Sequence, residues 1–187
     1  TSGEFGRHRA DWTASRDYAA DEAIREPFTA DAALQARRYL HEARGLLREA
    51  GIAAGDDVAI ELSHHLGLPR FRDYGAVFVH VINREYCKKL GIMLPGQAHP
   101  LHKHPVKEET FQLLWGDLTV NHDGIDTELA PGDKLVIERE CWHGFSSRGG
   151  AVFEEVSTTD HRGGSIYRDE AINRLDPMQR KTFLERW

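Results

Sequence analysis

The stretch "GQAHPLHKHPVKEETFQLLWG", residues 96–116, contains three histidines, two adjacent glutamates and a glycine at each end. His102 and His104 are separated by one residue, so on a β-strand their side chains point to the same face and can converge on one ion. A bend at Pro105 would bring the carboxylate of Glu109 to the same point. Imidazole and carboxylate ligands suit a first-row divalent metal, so the stretch predicts part of a metal site.

A third imidazole would complete a site of three histidines and one glutamate. The segment "PGDKLVIERECWHGF", residues 131–145, supplies His143 after a strand and a short turn. A single histidine on a strand is most often a surface residue, and the pair His102 and His104 weakens that explanation only in part. The full spacing, Gly-x5-His-x-His-x4-Glu-x6-Gly with a later histidine, favours a metal site. His99 lies outside the His-x-His register and is predicted to take no part.

Composition limits the classes of protein and partner. The 187 residues, 40 % of them hydrophobic, are enough for one domain with a buried core. The formal net charge of −6 and the lack of a basic patch argue against nucleic acid as a partner. No apolar run approaches the roughly 20 residues of a membrane helix, and "TSGEFGRHRADW" lacks the apolar region of a secretory signal. Cys87 and Cys141 are expected to be reduced, which predicts a cytoplasmic protein.

The N-terminal part of the chain is predicted to be an arm followed by a helix. Residues 1–28 are polar and lack clear periodicity, which indicates an extended arm. In residues 29–51, "TADAALQARRYLHEARGLLREAG", apolar side chains recur at helical spacing, Thr29 or Asp31 can cap the helix, and Gly51 can end it. We expect this amphipathic helix to pack on the rest of the chain and, with the arm, to form a homodimer contact.

The hydrophobic pattern of the sequence changes near residue 58. Short apolar runs then follow one another at spacings near 8–12 residues, separated by hairpin-type turns such as "NHDG" and "APGD". Such runs predict an all-β antiparallel sandwich or small barrel. The last segment, "RDEAINRLDPMQRKTFLERW", is predicted to form a short helix, a break at Pro177 and another helical turn or two. We therefore expect residues 1–57 to be a helical extension and residues 58–187 a barrel with a helical tail.

The glycine-bounded stretch resembles the first signature of the cupin superfamily, and every position of that signature is matched. The second signature fits less closely, since Gly132 and His143 are in place but three other positions differ. The residues that replace the usual Pro, Gly and Asn are Glu138, Glu140 and Ser147. The resemblance implies a double-stranded β-helix, or jelly-roll, barrel. It also implies that the metal ligands are His102, His104, Glu109 and His143.

A closer resemblance, to the D-lyxose isomerase family of small cupins, runs from about residue 76 to residue 172. It rests on "FVHVINREYCKKLGIMLPGQAHPLHKH", "KEETFQLLWGDL", "LAPGDKLVIERECWHGF" and "GAVFEEVSTT", which occur in the right order and spacing. In that family a lysine on the strand before the metal motif and a glutamate after the last histidine face the metal, which implies catalytic roles for Lys89 and Glu155. The resemblance implies a metal-dependent isomerase of D-lyxose, D-mannose or a related sugar. We expect Mn²⁺ as its cofactor, with Zn²⁺, Co²⁺, Ni²⁺ and Fe²⁺ as alternatives.

Isomerisation of an aldose to a ketose needs a base that moves a proton between C2 and C1, and a second group that shuttles protons between O1 and O2. The resemblance makes Glu155 the expected base, and Lys89 is expected either to stabilise negative charge on O1 or O2 or to relay a proton. Strand periodicity alone does not make this choice. Adjacent side chains on a strand point to opposite faces, so Glu154 and Glu155, like Lys88 and Lys89, compete for the inner position.

Two other functions compete with the isomerase. The blocks "IELSHHLG", "NREYCKKL" and "KEETFQ" are also similar to cupin domains fused behind sialic-acid (nonulosonate) synthases, which would imply a sugar-binding or regulatory domain. A chain that begins without Met is compatible with a piece of such a protein. The third hypothesis is an Fe(II) dioxygenase, because three histidines and one glutamate also serve oxygen chemistry. That hypothesis would be favoured by a tight apolar pocket and gives Lys89 and Glu155 no task.

Overall fold

The computed structural model describes residues 30–56, 58–185 and 187. Helix α1, Ala30–Glu49, confirms the helix predicted from the apolar stripe. The buried side chains of α1 lie at the predicted spacing and are Ala36, Leu40, Ala43 and Leu47. The arm predicted for residues 1–28 lies outside the described residues.

The described chain after α1 forms two antiparallel sheets, which confirms the predicted all-β barrel. The seven-stranded sheet has the order β12-β1-β2-β3-β10-β5-β8, and the five-stranded sheet has the order β11-β4-β9-β6-β7. The strands of the larger sheet are β1 (Ala59–Ser63), β2 (Ala76–Asn83), β3 (Tyr86–Met93), β5 (Glu109–Gly116), β8 (Lys134–Ile137), β10 (Ala151–Thr158) and β12 (Lys181–Leu184). The strands of the smaller sheet are β4 (Ala98–Lys103), β6 (Leu118–His122), β7 (Ile125–Leu129), β9 (His143–Ser146) and β11 (Ile166–Tyr167).

Two apolar layers surround the larger sheet. Its outer face packs on α1, where Val77, Leu90 and Val152 join the buried stripe of the helix. Its inner face packs across the barrel, where Phe111 of β5 and Phe153 of β10 contact side chains of the smaller sheet. Because successive strand residues point to opposite faces, strands β2, β3 and β10 are buried on both sides where the helix covers them.

The two glycines that bound the opening stretch lie at tight turns. Gly96 has a φ of 85° and Gly116 a φ of 86°, a region that L side chains rarely adopt. At Gly116 a Cβ would also lie 2.0 Å from the carbonyl oxygen of Gly150. The turn "NHDG" joins β6 to β7 with positive φ at both Asp123 and Gly124, as expected for a hairpin turn of two residues.

The C-terminal tail differs from the prediction at its end. Helix α2, Glu170–Asn173, and a 3₁₀ turn, Pro177–Arg180, agree with the helix and break that the sequence indicates. The next residues, Lys181–Leu184, were predicted to be helical, which is wrong, because they form strand β12 and pair with the edge strand β1. An unpaired sheet edge offers a row of backbone hydrogen-bond partners, and here they outweigh the local preference of the segment.

The described residues contain free thiols at Cys87 and Cys141 and no disulfide between them, in agreement with the prediction. None of the helices in the described part of the chain is long and apolar enough to cross a membrane.

Candidate metal centre

The structure brings the four predicted ligands together at one end of the barrel. His102 lies in β4, His104 follows that strand, Glu109 begins β5 and His143 begins β9. Each residue offers a ligand atom within 4.8 Å of the others, and all four side chains are buried. Strand β4 pairs with β9 so that His102 lies opposite His143, which places two imidazoles from different strands side by side.

The hydrogen bonds of the three imidazoles fix which ring nitrogen faces the centre. The Nδ1 atoms lie close to backbone carbonyl oxygens, at 2.9 Å for His102 (Pro100), 3.1 Å for His104 (Gly164) and 3.1 Å for His143 (Cys141). A carbonyl oxygen can only accept, so each Nδ1 carries the hydrogen and each Nε2 keeps the lone pair that binds a metal. Burial lowers the pKa of His102 and of His104, which favours the neutral ring that a metal requires.

The contact between His143 and Glu109 fits a cation site. The Nε2 of His143 lies 2.7 Å from Oε1 of Glu109, yet that nitrogen is buried and makes no hydrogen bond to the described residues. A nitrogen lone pair and a carboxylate oxygen repel each other at such a distance, and a cation bound by both atoms removes this repulsion. The residues present therefore fit a divalent metal ion held by three imidazoles and one carboxylate.

His99 is buried beside this cluster, but its ring nitrogens are directed elsewhere. Its Nε2 lies 2.9 Å from Nε2 of His65, and its ring stacks on Phe145 with centroids 4.5 Å apart. The pKa of His99 is lowered to about 3, mainly by burial and then by the nearby His143. The geometry thus agrees with the prediction that His99 is not a ligand.

The structure resolves the choice between neighbouring side chains on β3 and β10. Lys89 and Glu155 are paired across the two strands and both point into the barrel, where each is 4 % exposed. Lys88 and Glu154 point outward and form an ion pair of their own, with 2.7 Å between Nζ and Oε1. The two residues selected by resemblance are therefore the inner members of both pairs.

Sequence reasoning missed two residues that join these side chains to the predicted ligands. The Nζ of Lys107 lies 2.5 Å from Oε2 of Glu109 and 2.9 Å from Oε1 of Glu155. The carboxylate of Asp160 lies 2.8 Å from Nζ of Lys89 and 3.7 Å from Nζ of Lys107. Lys107, rather than Lys89, is the lysine that contacts a predicted ligand.

The charges of this network hold one another in the ionised form. Burial alone would raise the pKa of Glu109, but the Lys107 ammonium group holds it well below its usual range. Burial would also raise the pKa of Asp160, and Lys89 and Lys107 lower it instead. Burial would lower the pKa of both lysines, whereas the neighbouring carboxylates raise it, with Asp160 the largest influence on Lys89 and Glu109 on Lys107. Charges buried without such partners would be far more costly.

A weak signal for Lys107 was present in the sequence. Lys107 is two residues before Glu109 and four before Phe111, so the alternation of β5 extended backwards places it on the inner face. Asp160 carries no such signal, because it follows β10 in an irregular segment whose path depends on Asn83.

Glu140, which replaces the usual glycine of the second cupin signature, has an unusual backbone conformation. Glu140 has a φ of 65°, a left-handed conformation that favours the glycine usually found at this position. An ion pair between its Oε2 and Nζ of Lys103 accompanies this conformation, and the turn still leads into His143.

Comparisons with known proteins agree with this geometry. Residues 90–157 match the family model described as "Cupin domain". The D-lyxose/D-mannose isomerase of Thermosediminibacter oceani is 27 % identical over 131 residues, which cover 55 % of this chain and 72 % of that protein. The D-lyxose ketol-isomerase of a Thermofilum species is 27 % identical over 127 residues, covering 53 % of this chain and 71 % of that protein.

Solved structures give the same fold. The L-ribose isomerase of Cellulomonas parahominis with L-psicose aligns with a TM-score of 0.61 at 18 % identity, covering 75 % of this chain and 93 % of that chain. The L-ribose isomerase of Geodermatophilus obscurus aligns with a TM-score of 0.62 at 17 % identity, covering 74 % and 93 %. The cupin jelly-roll fold and the resemblance to D-lyxose isomerases are thus confirmed, and the names of the relatives support a sugar isomerase.

Proposed function

We propose that this chain, a cupin similar to D-lyxose isomerases, is a metal-dependent aldose–ketose isomerase acting on D-lyxose, D-mannose or a related sugar. The observation that carries the proposal is the contact of Lys107 with both Glu109, a predicted ligand, and Glu155, the predicted base. This contact joins a carboxylate, an ammonium group and the ligand cluster in one connected set of side chains. The names of the similar proteins support the same reaction class.

The ligands of the ion in this proposal are His102, His104, Glu109 and His143. When bound there, a divalent ion supplies Lewis-acid polarisation of the sugar's carbonyl oxygen. We take Mn²⁺ as the first choice, and the same ligands accept several first-row ions.

Glu155 is the proposed base. It takes the proton from C2 of the open-chain aldose as the C2–H electron pair forms the C1–C2 double bond and the C1=O1 pair moves to O1. The proton of O2 then passes to O1, and the C2=O2 bond forms as the C1–C2 pair takes the returned proton at C1. The carboxylate of Glu155 is 4 % exposed, so bulk water does not compete freely for the proton. The ammonium group of Lys107, 2.9 Å from Oε1, orients that carboxylate toward the ligand cluster.

The two inner lysines have different proposed tasks. Lys107 lies next to Glu109 and is placed to stabilise negative charge on O1 or O2 of the sugar. Lys89 donates to Asp160 and lies 3.5 Å from Glu155, so it orients the base from behind. The role first assigned to Lys89 is thereby divided between two residues.

The charged surroundings of the centre argue against the dioxygenase. A tight apolar pocket would favour that function, whereas here two lysines and the carboxylates of Glu155 and Asp160 lie beside the ligand cluster. A binding or regulatory domain remains the other outcome that an activity test can reveal.

Metal removal is the direct test of the proposed function. The purified chain is loaded with Mn²⁺, its metal content is measured by mass spectrometry, and ketose formation from D-lyxose and D-mannose is followed. We expect turnover that falls below detection after EDTA treatment and returns when Mn²⁺ is added back. Turnover that survives complete metal removal would contradict the mechanism, and a metal-loaded protein that binds but does not convert aldoses would indicate a binding domain.

A further inference from the structure

Arg180, at the end of the 3₁₀ turn Pro177–Arg180, is a buried cation whose guanidinium has no ion pair among the described residues. Its side chain is 6 % exposed, and its Nη1 atom is buried and makes no hydrogen bond. The ion pairs of the described residues include its neighbour Lys181 but not Arg180 itself. A buried charge without a counter-ion is costly, so this guanidinium is expected to meet an anion or strong acceptor that the described residues do not supply.

The three lysines nearby make the contrast clear. The Nζ atoms of Lys89, Lys107 and Lys181 each lie within 2.9 Å of a carboxylate oxygen, from Asp160, Glu155 and Glu61 respectively. Their charges are therefore matched inside the protein. A divalent ion at the ligand cluster would add further positive charge to this end of the barrel, which strengthens the case for a negative ligand beside Arg180.

Arg180 faces a cavity between the barrel and the C-terminal tail. The charged and polar lining residues of this cavity include Asp160, Arg162, Ser165, Tyr167, Arg180 and Lys181. Asp160 is the one carboxylate among the residues that line it, and that carboxylate is already matched by Lys89. Of the cations in this lining, Arg162 lies near Asp176 and Lys181 pairs with Glu61, so Arg180 is the one that forms no ion pair with the described residues.

The cavity adjoins the candidate metal centre. Tyr167 lines the cavity and stacks on His102, with ring centroids 5.5 Å apart and planes at 25°. Ser165, also in the lining, has its Oγ 3.4 Å from Nδ1 of His104. The cavity therefore borders two of the four predicted ligands.

The position of Arg180 is fixed by its surroundings. Its Cζ lies over the ring of Tyr167 at 5.1 Å from the centroid, and its backbone oxygen accepts from the N–H of His64. The following residue, Lys181, pairs with Ser63 of β1 and so anchors the chain to the sheet. A guanidinium stacked on an aromatic ring keeps its N–H groups free at its edge, the geometry that binds a carboxylate or phosphate with two hydrogen bonds.

We propose that Arg180 forms an anion subsite beside the metal centre, and that the preferred substrate is an aldose with a carboxylate or phosphate at the end remote from C1. This inference rests on the proposed isomerase function and specifies its substrate class. The negative group of the sugar takes the position of the missing counter-ion of Arg180, while C1 and C2 lie at the ligand cluster.

The test compares neutral and anionic forms of one aldose. Ketose formation by the Mn²⁺-loaded protein is measured for D-mannose, D-mannose 6-phosphate and D-mannuronate. We expect at least one anionic aldose to have a kcat/KM about tenfold or more above that of D-mannose, and the comparison of the two identifies phosphate or carboxylate. In Arg180→Gln this preference should be lost, a fall of about tenfold or more, as expected when a charge-assisted pair of hydrogen bonds is removed.

Matched variants separate recognition from folding. Arg174→Gln changes an exposed arginine of the same tail and should keep the preference for the anionic sugar. Arg180→Lys keeps the charge but not the two-pronged geometry, and it should retain part of the preference. Thermal unfolding of all three variants shows whether a lost preference is only a lost fold.

A binding measurement makes failure of this inference distinguishable from failure of the proposed function. Calorimetry compares the binding affinities of D-mannitol and D-mannitol 1-phosphate. Neither polyol has a carbonyl group, so neither can be isomerised. If no aldose is converted but the phosphate binds more tightly and only when Arg180 is present, the subsite stands and the isomerase proposal fails. If D-mannose is converted as well as both anionic aldoses, or if Arg180→Gln lowers kcat/KM equally for all three, the subsite is overturned and the isomerase stands.

Discussion

Strands β3 and β10 carry two lysine–glutamate pairs that differ by one position and face opposite ways. The outer pair, Lys88 and Glu154, has the shorter contact, 2.7 Å, with side chains 38 % and 25 % exposed. The inner pair, Lys89 and Glu155, lies 3.5 Å apart, with both side chains 5 % exposed. Contact distance alone therefore does not show which pair has a function, because exposure to water determines how strongly each charge interacts with its surroundings.

Burial gives the inner pair its chemistry and also its cost. An exposed pair is screened by water and contributes about 0–1 kcal/mol to stability. Each charge of the inner pair instead carries a desolvation penalty of several kcal/mol, which is offset only because Lys107 and Asp160 join the network. Charges kept inside at such a cost point to a function that needs them, and substitutions on the two faces should therefore differ.

The largest difference is expected between Glu155→Gln and Glu154→Gln. Loss of the proposed base should lower kcat for aldose isomerisation by about 10²–10⁴-fold, the usual range for a general base. The outer substitution removes a solvated partner of Lys88 and should leave kcat within about threefold, since it touches no part of the site. Steady-state kinetics with matched metal content measures both, and equal effects would remove Glu155 from the mechanism.

Lys107→Met, compared with Lys88→Met, is the next test. Removing Lys107 takes away the ammonium group beside Glu109 and Glu155, so we expect kcat to fall about 10–100-fold. Metal content should persist, because the four predicted ligands are unchanged. A merely structural role for Lys107 would lower the unfolding temperature and leave kcat unaltered, whereas a catalytic role changes kcat more than KM.

The inner and outer faces of strands β3 and β10 also show how much of the site could be predicted from the sequence. The histidine and glutamate spacing and the strand alternation are local, so the cluster of four side chains and the two competing pairs were predictable. Which member of each pair points inward was not, because β10 is buried on both sides: Val152 packs toward α1 and Phe153 into the barrel. A hydrophobic pattern distinguishes the two faces of a strand only where one face is exposed to solvent.

The positions of residues outside the regular strands could not be predicted from local sequence patterns. Lys107 and Asp160 reach the network from the segments that flank β5 and β10, and their positions depend on contacts such as that of Asn83 with Asp160. Strand β12 was mistaken for helix because its pairing with β1 depends on residues more than a hundred positions away. Long-range pairing overrides local preference in such cases.

A third test compares a buried with an exposed histidine through pH. The pKa of His64 is lowered from 6.5 to about 4, mainly by burial, so the folded state keeps the ring neutral while the unfolded state takes up a proton below pH 6.5. Stability is therefore lost as pH falls from 6.5 toward 4, by about 2 kcal/mol for this residue between pH 7 and pH 5. In His64→Gln the fall of the unfolding temperature over that interval should be smaller by roughly 4–8 °C.

His41→Gln is the control for that measurement, because His41 is exposed on α1 and its substitution should leave the pH dependence unchanged. The comparison uses differences between each variant and the parent protein, so the titration of all unchanged histidines cancels. An unaltered pH dependence in His64→Gln would show that burial of this ring does not govern its protonation.

The smallest effect is expected for the outer pair itself. A double-mutant cycle of Lys88→Met and Glu154→Gln should give a coupling free energy of about 0.2–1 kcal/mol, which decreases between 0.05 and 0.5 M salt as exposed charges are screened. The same cycle on Lys89 and Glu155 should give a larger coupling that salt hardly changes, because both side chains are 5 % exposed. Coupling is measured by urea unfolding of the metal-loaded protein. If the coupling at the outer pair were independent of salt and as large as that of the inner pair, exposure would not distinguish the charge interactions on the two faces. Burial would then give no reason to assign catalysis to the inner face.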